Sequence, residues 1–126
     1  MAPVTVLVID DDPVILQLLQ VNFEMEGFKV LTATDGGEGL EMARTKRPDV
    51  VISDVMMPKV DGLELATALK GDPATAGLPV ILLSARAQAT DVQKGLEAGV
   101  EEYVTKPFDP LELVDLVNSV LDRAKR

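Results

Sequence analysis

The sequence predicts an α/β fold in which a parallel sheet carries helices on both faces. Short apolar runs alternate five times with longer segments whose apolar residues return at helical spacing. Such alternation builds a parallel sheet through helical crossovers. The runs at 4–9, 50–53 and 80–83 are apolar at almost every position and rich in β-branched residues. That pattern belongs to strands covered on both faces, because a half-exposed strand alternates instead. The helix starts are marked as well. Asp12-Pro13 and Asp109-Pro110 each place a capping aspartate before a proline, the order in which helices begin.

Taken in order, residues 4–9 predict the first strand. Asp12 caps the helix that follows, with Pro13 in its first position. Val14, Leu18, Val21 and Met25 recur at helical spacing and, joined by Ile15, Leu19 and Phe23, predict its inward face. Gly27 ends it. Residues 28–33 predict a second, more polar strand at a sheet edge. Residues 35–47 predict a helix with Leu40 and Ala43 inward, although Gly36, Gly37 and Gly39 weaken its start, and Pro48 stops it. Residues 49–53 predict the third strand, followed by a loop and a helix over 62–70. Gly71-Asp72-Pro73 and Gly77-Leu78-Pro79 bracket a surface loop. Residues 80–83 predict the fourth strand.

The helix expected over 90–98 has a thin apolar stripe, Val92 and Leu96 among small residues. Gly95 inside it costs about 1 kcal/mol against alanine. Gly99 ends it, and residues 102–105 predict the fifth strand, with Glu101 and Glu102 as a solvated edge. The last helix turns Leu113, Leu116, Val117, Val120 and Leu121 inward, while Arg123, Lys125 and Arg126 suit its C-terminal dipole end. No repeat, low-complexity tract or linker interrupts the series. The expectation is a single domain spanning 1–126.

Composition narrows the function. The chain carries a formal charge of −9 and only 3% aromatic residues, so it lacks the basic patch and stacking platform of a nucleic-acid binder. Direct nucleic-acid binding is not expected. An acidic surface favours basic partners or a cation-filled site. With no cysteine, a disulfide framework, a thiolate metal site and a cysteine nucleophile are excluded. With no histidine, the commonest general base is missing and no phosphohistidine can form on this chain. No apolar run approaches the ~20 residues a bilayer needs, and Met1-Ala2-Pro3 shows no basic region typical of a signal peptide. A cytoplasmic location without membrane contact is the expectation.

Four of the strand-like runs end in a polar residue that a buried strand does not choose: Asp10-Asp11-Asp12, Asp54, Ser84, and Lys106 followed by Pro107. In a doubly wound sheet all four ends meet at the carboxyl edge, where such folds bind ligands. Adjacent carboxylates ~4 Å apart repel by about 4 kcal/mol per pair at an effective dielectric of ~20, before screening. Lys106 offsets part of this. A divalent ion with few carboxylate ligands and several waters offsets the rest, which is the habit of magnesium. Capping already explains Asp12, leaving Asp10 and Asp11 for the metal. Asp54 beside such an ion suits a nucleophile that forms an acyl phosphate. The metal and Lys106 would stabilise charge on the transferring oxygens. Ser84 can then hydrogen-bond a phosphoryl oxygen that exists only after transfer, which makes a switch.

These residues carry a family resemblance. Asp10-Asp11, then Asp54 with Met57-Pro58 and Asp61-Gly62, then Ser84-Ala85, then Lys106-Pro107-Phe108 resemble the receiver domain of two-component response regulators, nearly end to end. The resemblance implies a flavodoxin-like fold with five parallel strands in the order 2-1-3-4-5 and five helices. It implies Asp54 as phosphoacceptor. It implies Mg2+ held by Asp11, Asp54 and the backbone oxygen of Met56, with Asp10 acting through water. Ser84 resembles the switch hydroxyl, Lys106 the phosphate-binding lysine, and Tyr103 the aromatic that turns inward on activation. The Lys106–Pro107 bond is expected to be cis. Met56 and Arg86 fall where the family varies and tunes the rate of dephosphorylation.

The resemblance implies a sensor histidine kinase or histidine phosphotransfer protein as donor and a separate downstream effector. A monomer or a phosphorylation-dependent dimer would fit. The expected output face joins the helix at 90–98, the strand at Tyr103 and the last helix. The chain stops after that helix, so the expectation is a stand-alone regulator or a piece of a longer one. Two other readings stand beside this. A magnesium-dependent phosphatase with an aspartyl-phosphate intermediate would use the same chemistry. Phosphatases of the haloacid-dehalogenase kind, however, want a second aspartate two residues after the nucleophile, where this chain has Met56. An inert receiver-like interaction domain is opposed by the complete acidic pair, Asp54, Ser84 and Lys106.

Overall fold

A computed structural model describes residues 3–86 and 88–124. Strands and helices alternate as β1 (Thr5–Ile9), α1 (Pro13–Met25), β2 (Lys29–Ala33), α2 (Gly36–Lys46), β3 (Val50–Asp54), α3 (Gly62–Gly71), β4 (Val80–Ser84), α4 (Ala89–Glu97), β5 (Glu102–Thr105) and α5 (Pro110–Ala124). The five strands form one sheet in the order β2-β1-β3-β4-β5, every pairing parallel. The more polar strand, β2, lies at an edge as its composition predicts.

Alternation along each strand divides the core in two. Val6, Val8, Val50, Ile52, Ile81 and Leu83 face α1 and α5. Leu7, Ile9, Val51, Val80 and Leu82 face the layer built from α2, α3 and the end of α4. Every position of β3 and β4 is buried, which is why both runs are apolar rather than alternating. Phe23 and Phe28 meet edge to face at 5.1 Å and lock the turn from α1 into β2.

The two aspartates that the sequence predicts as caps, Asp12 and Asp109, both accept from the helix start, Asp109 from the Leu111 amide at 2.8 Å. The Asp12 side chain accepts from the Val14 amide, with Pro13 in the first turn. Asp61 and Glu64 close a reciprocal capping box on α3. One of the three glycines that weaken the start of α2 has a packing reason. A Cβ on Gly39 would run into the Ile9 side chain, so the helix can lie close on β1 only without one.

Three inward faces differ from expectation. On α1 the buried residues are Leu16, Leu19 and Phe23, whereas Val14, Leu18, Val21 and Met25 are exposed. The helix is apolar on almost every side, so its periodicity does not determine which side meets the sheet. On α4 the expected stripe fails: Val92 is half-buried, Leu96 is exposed, and the buried residue is Gly95. On α5 Val114 joins Leu113, Val117 and Val120 in the core, while Leu116 and Leu121 are only partly covered. Glu101 is also no solvated edge. It accepts from Lys70 Nζ at 2.7 Å and from the Val80 amide at 2.7 Å, tying α3 to the start of β4. Arg123 reaches Glu102 at 2.9 Å; Lys125 and Arg126 lie outside the described residues.

Candidate functional site

Strand register brings the polar strand ends together. Ile9 pairs with Ser53, Asp54 with Leu83 and Ser84 with Thr105. Asp10 and Asp54 therefore emerge side by side, and Lys106 follows on the far side of β4. The chain leaves β1 for β2 on one side and returns to β3 on the other. The gap between β1 and β3 is thus the point of strand-order reversal, where this class of sheet holds its ligands.

Asp10 is 1% exposed, and its two oxygens are separately engaged. Oδ1 accepts from the Asp12 amide at 2.9 Å, and Oδ2 lies 3.3 Å from Lys106 Nζ. Asp54 Oδ1 is also 3.3 Å from Lys106 Nζ. One ammonium thus bridges two buried carboxylates. Asp11 is exposed at the rim, and carboxylate oxygens of Asp10, Asp11 and Asp54 all lie within 4.8 Å of one another.

The electrostatics are unbalanced toward negative charge. Burial pushes the Asp10 carboxyl above its ordinary value, and the charge on Asp54 adds to this, against the Asp12 amide and Lys106. Burial likewise raises Asp54, opposed by Lys106 and the Met56 amide. Burial alone would lower Lys106, but the carboxylates of Asp10 and Asp54 outweigh it and raise the ammonium. Three close carboxylates facing one ammonium are a hard oxygen set with surplus charge. These residues fit Mg2+, which binds through few carboxylates and keeps water.

The backbone under Asp54 is fixed from two sides. The Val55 amide donates to the Leu83 carbonyl at 2.9 Å, and the Gly62 amide donates to the Val55 carbonyl at 3.0 Å. A Cβ on Gly62 would strike the Asp54 carbonyl oxygen, so the start of α3 can lie against the end of β3 only as glycine. Met56 follows in the loop with its side chain exposed, while Met57 packs into the core.

Ser84 and Tyr103 converge on a residue that sequence reasoning placed only as a variable position. The fully buried Ser84 hydroxyl accepts from the Arg86 amide at 3.0 Å. The Tyr103 hydroxyl donates to the Arg86 carbonyl at 2.9 Å. Arg86 is thus a backbone junction between the two. No side-chain pattern could have signalled this, because only its main-chain atoms take part. The Lys106 amide donates to the Ser84 carbonyl at 2.8 Å, and the Lys106–Pro107 bond is cis. Asp10, Asp11, Asp54 and Lys106 therefore form one cluster, and Ser84 and Tyr103 form a hydrogen-bonded path leading away from it. Among the described residues, no helix is long and apolar enough to cross a membrane.

The sequence and the fold have counterparts among known proteins. The family model for the response regulator receiver domain matches residues 6–118. The chain is 41% identical over 121 residues to the DNA-binding dual master transcriptional regulator RpaA of Synechocystis sp., covering 96% of this chain and 50% of that one. It is 48% identical over 118 residues to the transcriptional regulatory protein CseB of Streptomyces coelicolor, covering 94% and 49%. The chain thus spans about half the length of the curated relatives it matches. Among solved structures, the receiver domain of Francisella response regulator 1452 aligns with a TM-score of 0.90 at 38% identity, covering 97% of this chain and 98% of that one. The Vibrio cholerae chemotaxis protein CheY4 aligns at 0.89 with 33% identity, covering 94% and 99%. With the receiver model matched over most of its length and relatives of this similarity, the chain belongs to the response regulator receiver domain family.

Proposed function

We propose that Asp54 accepts a phosphoryl group from a phosphohistidine on a partner protein and that the resulting charge is read by Ser84 and Lys106. One observation carries this reading: Lys106 Nζ sits 3.3 Å from Asp54 Oδ1 and 3.3 Å from Asp10 Oδ2 at the strand-order reversal. An Asp54 oxygen attacks phosphorus, the P–N bond to the donor imidazole breaks, and the imidazole takes up a proton as it leaves. Water later cleaves the acyl phosphate, returning the carboxylate and inorganic phosphate. The chain acts as a switch that turns over its own phosphoryl group, not as a conventional enzyme. Asp11, Asp54 and the Met56 carbonyl would hold Mg2+ directly, with Asp10 through water. When bound, the ion neutralises charge on the transferring oxygens.

This chain's own groups do the rest. Lys106, 3.3 Å from Asp54 Oδ1, would pair with a phosphoryl oxygen. The Ser84 hydroxyl can donate to a phosphoryl oxygen, and turning toward that oxygen draws Oγ away from the Arg86 amide it now accepts from. That movement frees Arg86, whose carbonyl holds Tyr103. The donor is a sensor histidine kinase or a histidine phosphotransfer protein, and the absence of histidine here is consistent with an external source. The output face comprises α4, β5 and α5, the domain acts as a monomer or a phosphorylation-dependent dimer, and the setting is the cytoplasm. The test is incubation with Mg2+ and acetyl phosphate followed by intact mass. Gain of one phosphoryl group by wild type and none by Asp54→Asn is expected. No gain, or equal gain in both, would overturn the reading.

A further inference from the structure

α4 rests on the sheet through its smallest residue. Gly95 is the helix's buried residue, and Leu96 beside it is 55% exposed. What fills the space against Gly95 is the Tyr103 ring. A Cβ on Gly95 would lie 2.8 Å from Tyr103 Cδ2, 3.4 Å from Cε2 and 3.6 Å from Leu82 Cδ1. The first distance is closer than Cβ atoms come to their neighbours, so an alanine there requires the ring to move. Yet alanine is the better helix former at an interior position. α4 also begins without a side-chain cap at Gln88, so a glycine is kept in a helix that has little stability to spare.

The ring it accommodates is joined to the switch. The Tyr103 hydroxyl donates to the Arg86 carbonyl at 2.9 Å, and the Arg86 amide donates to Ser84 Oγ at 3.0 Å. We propose that Gly95 is a positioning residue of the switch: its bare Cα forms the slot for the Tyr103 ring, sets the hydroxyl on Arg86, and so couples α4 to Ser84. This rests on the reading above, in which Ser84 senses phosphoryl on Asp54. A side chain at 95 would uncouple α4 from the site without touching any group that meets the phosphoryl.

The chain has one tyrosine and no tryptophan, so its tyrosine fluorescence reports on this ring alone. Without any phosphoryl donor, Gly95→Ala is expected to raise acrylamide quenching of that fluorescence over wild type. It should also shift the unfolding midpoint in opposite directions in two backgrounds. The midpoint rises in Tyr103→Val, where the slot is empty and only helix propensity acts, and falls where the ring is present. Equal quenching, or the same midpoint shift in both backgrounds, overturns the slot. With Mg2+ and acetyl phosphate, Gly95→Ala should gain mass like wild type but lose the fluorescence change that accompanies wild-type phosphorylation. A fluorescence change that survives in Gly95→Ala overturns the coupling. If wild type gains no mass, the phosphorylation reading and the coupling that rests on it fall together, while the donor-free measurements still decide whether the slot exists.

Discussion

α1 and α4 both start just past the site, α1 after Asp10-Asp11-Asp12 and α4 after Ser84, yet they are held in opposite ways. α1 is capped by Asp12 and anchored by Leu16, Leu19 and Phe23. α4 has no side-chain cap bond, and Gly95 is its buried residue. The first helix is capped and firmly anchored beside the acidic edge. The second is lightly held and can answer a small change, since weakly packed elements move at low cost.

The largest effect that tests this contrast lies under α1. Phe23→Ala removes a fully buried ring and should cost about 3–5 kcal/mol by chemical denaturation. Leu96→Ala on α4, at an exposed position, should change stability by less than about 0.5 kcal/mol. Comparable losses at the two positions would erase the distinction.

A smaller effect comes from the charge held at the acceptor edge. Asp54 has a folded-state pKa raised above its ordinary value of 3.8. The folded chain therefore holds the proton more readily than the unfolded one. The stability this lends is complete below 3.8 and is lost as pH rises through the folded value. At neutral pH the metal-free protein is thus held back by an ionised Asp54. Asp54→Asn should be more stable than wild type at neutral pH, because burial disfavours the ionised carboxylate by more than Lys106 and the Met56 amide restore. The advantage should shrink as pH falls toward 4. Mg2+ should raise the unfolding midpoint of wild type, because it binds only the folded state, and should do less for the variant. A destabilised Asp54→Asn at neutral pH would contradict the electrostatics described.

The smallest effect is at the start of α4. Gln88→Asp supplies a capping carboxylate worth about 0.5–1 kcal/mol. Slower amide exchange across α4 in the unphosphorylated protein, and a weaker response to phosphorylation, are the expected results. An unchanged response would mean that α4 is not the lightly held element.

These elements also mark how far the sequence could be read. Asp10, Asp54 and Lys106 were legible because each breaks an apolar run at a strand end, and parallel topology sends those ends to one edge. The existence of α1 was legible too, but not its phase. With apolar residues at 14, 15, 16, 18, 19, 21, 23 and 25, only the sheet decides that Leu16, Leu19 and Phe23 go in. Gly95 was legible as a weak point in its helix, and the reason for it is the Tyr103 ring packed from the adjacent strand. Arg86 joins Ser84 to Tyr103 through main-chain atoms, which no side-chain pattern encodes. Glu101 looked like solvated charge because its partners, Lys70 and the Val80 amide, are distant in sequence.

The contrast between the helices is tested most directly by hydrogen exchange with and without phosphorylation of Asp54 by acetyl phosphate and Mg2+. Changed exchange in α4 and β5, with β1, β3 and α1 unchanged, is the predicted result. Phosphorylation that leaves α4 and β5 unchanged, or alters all elements alike, would contradict it.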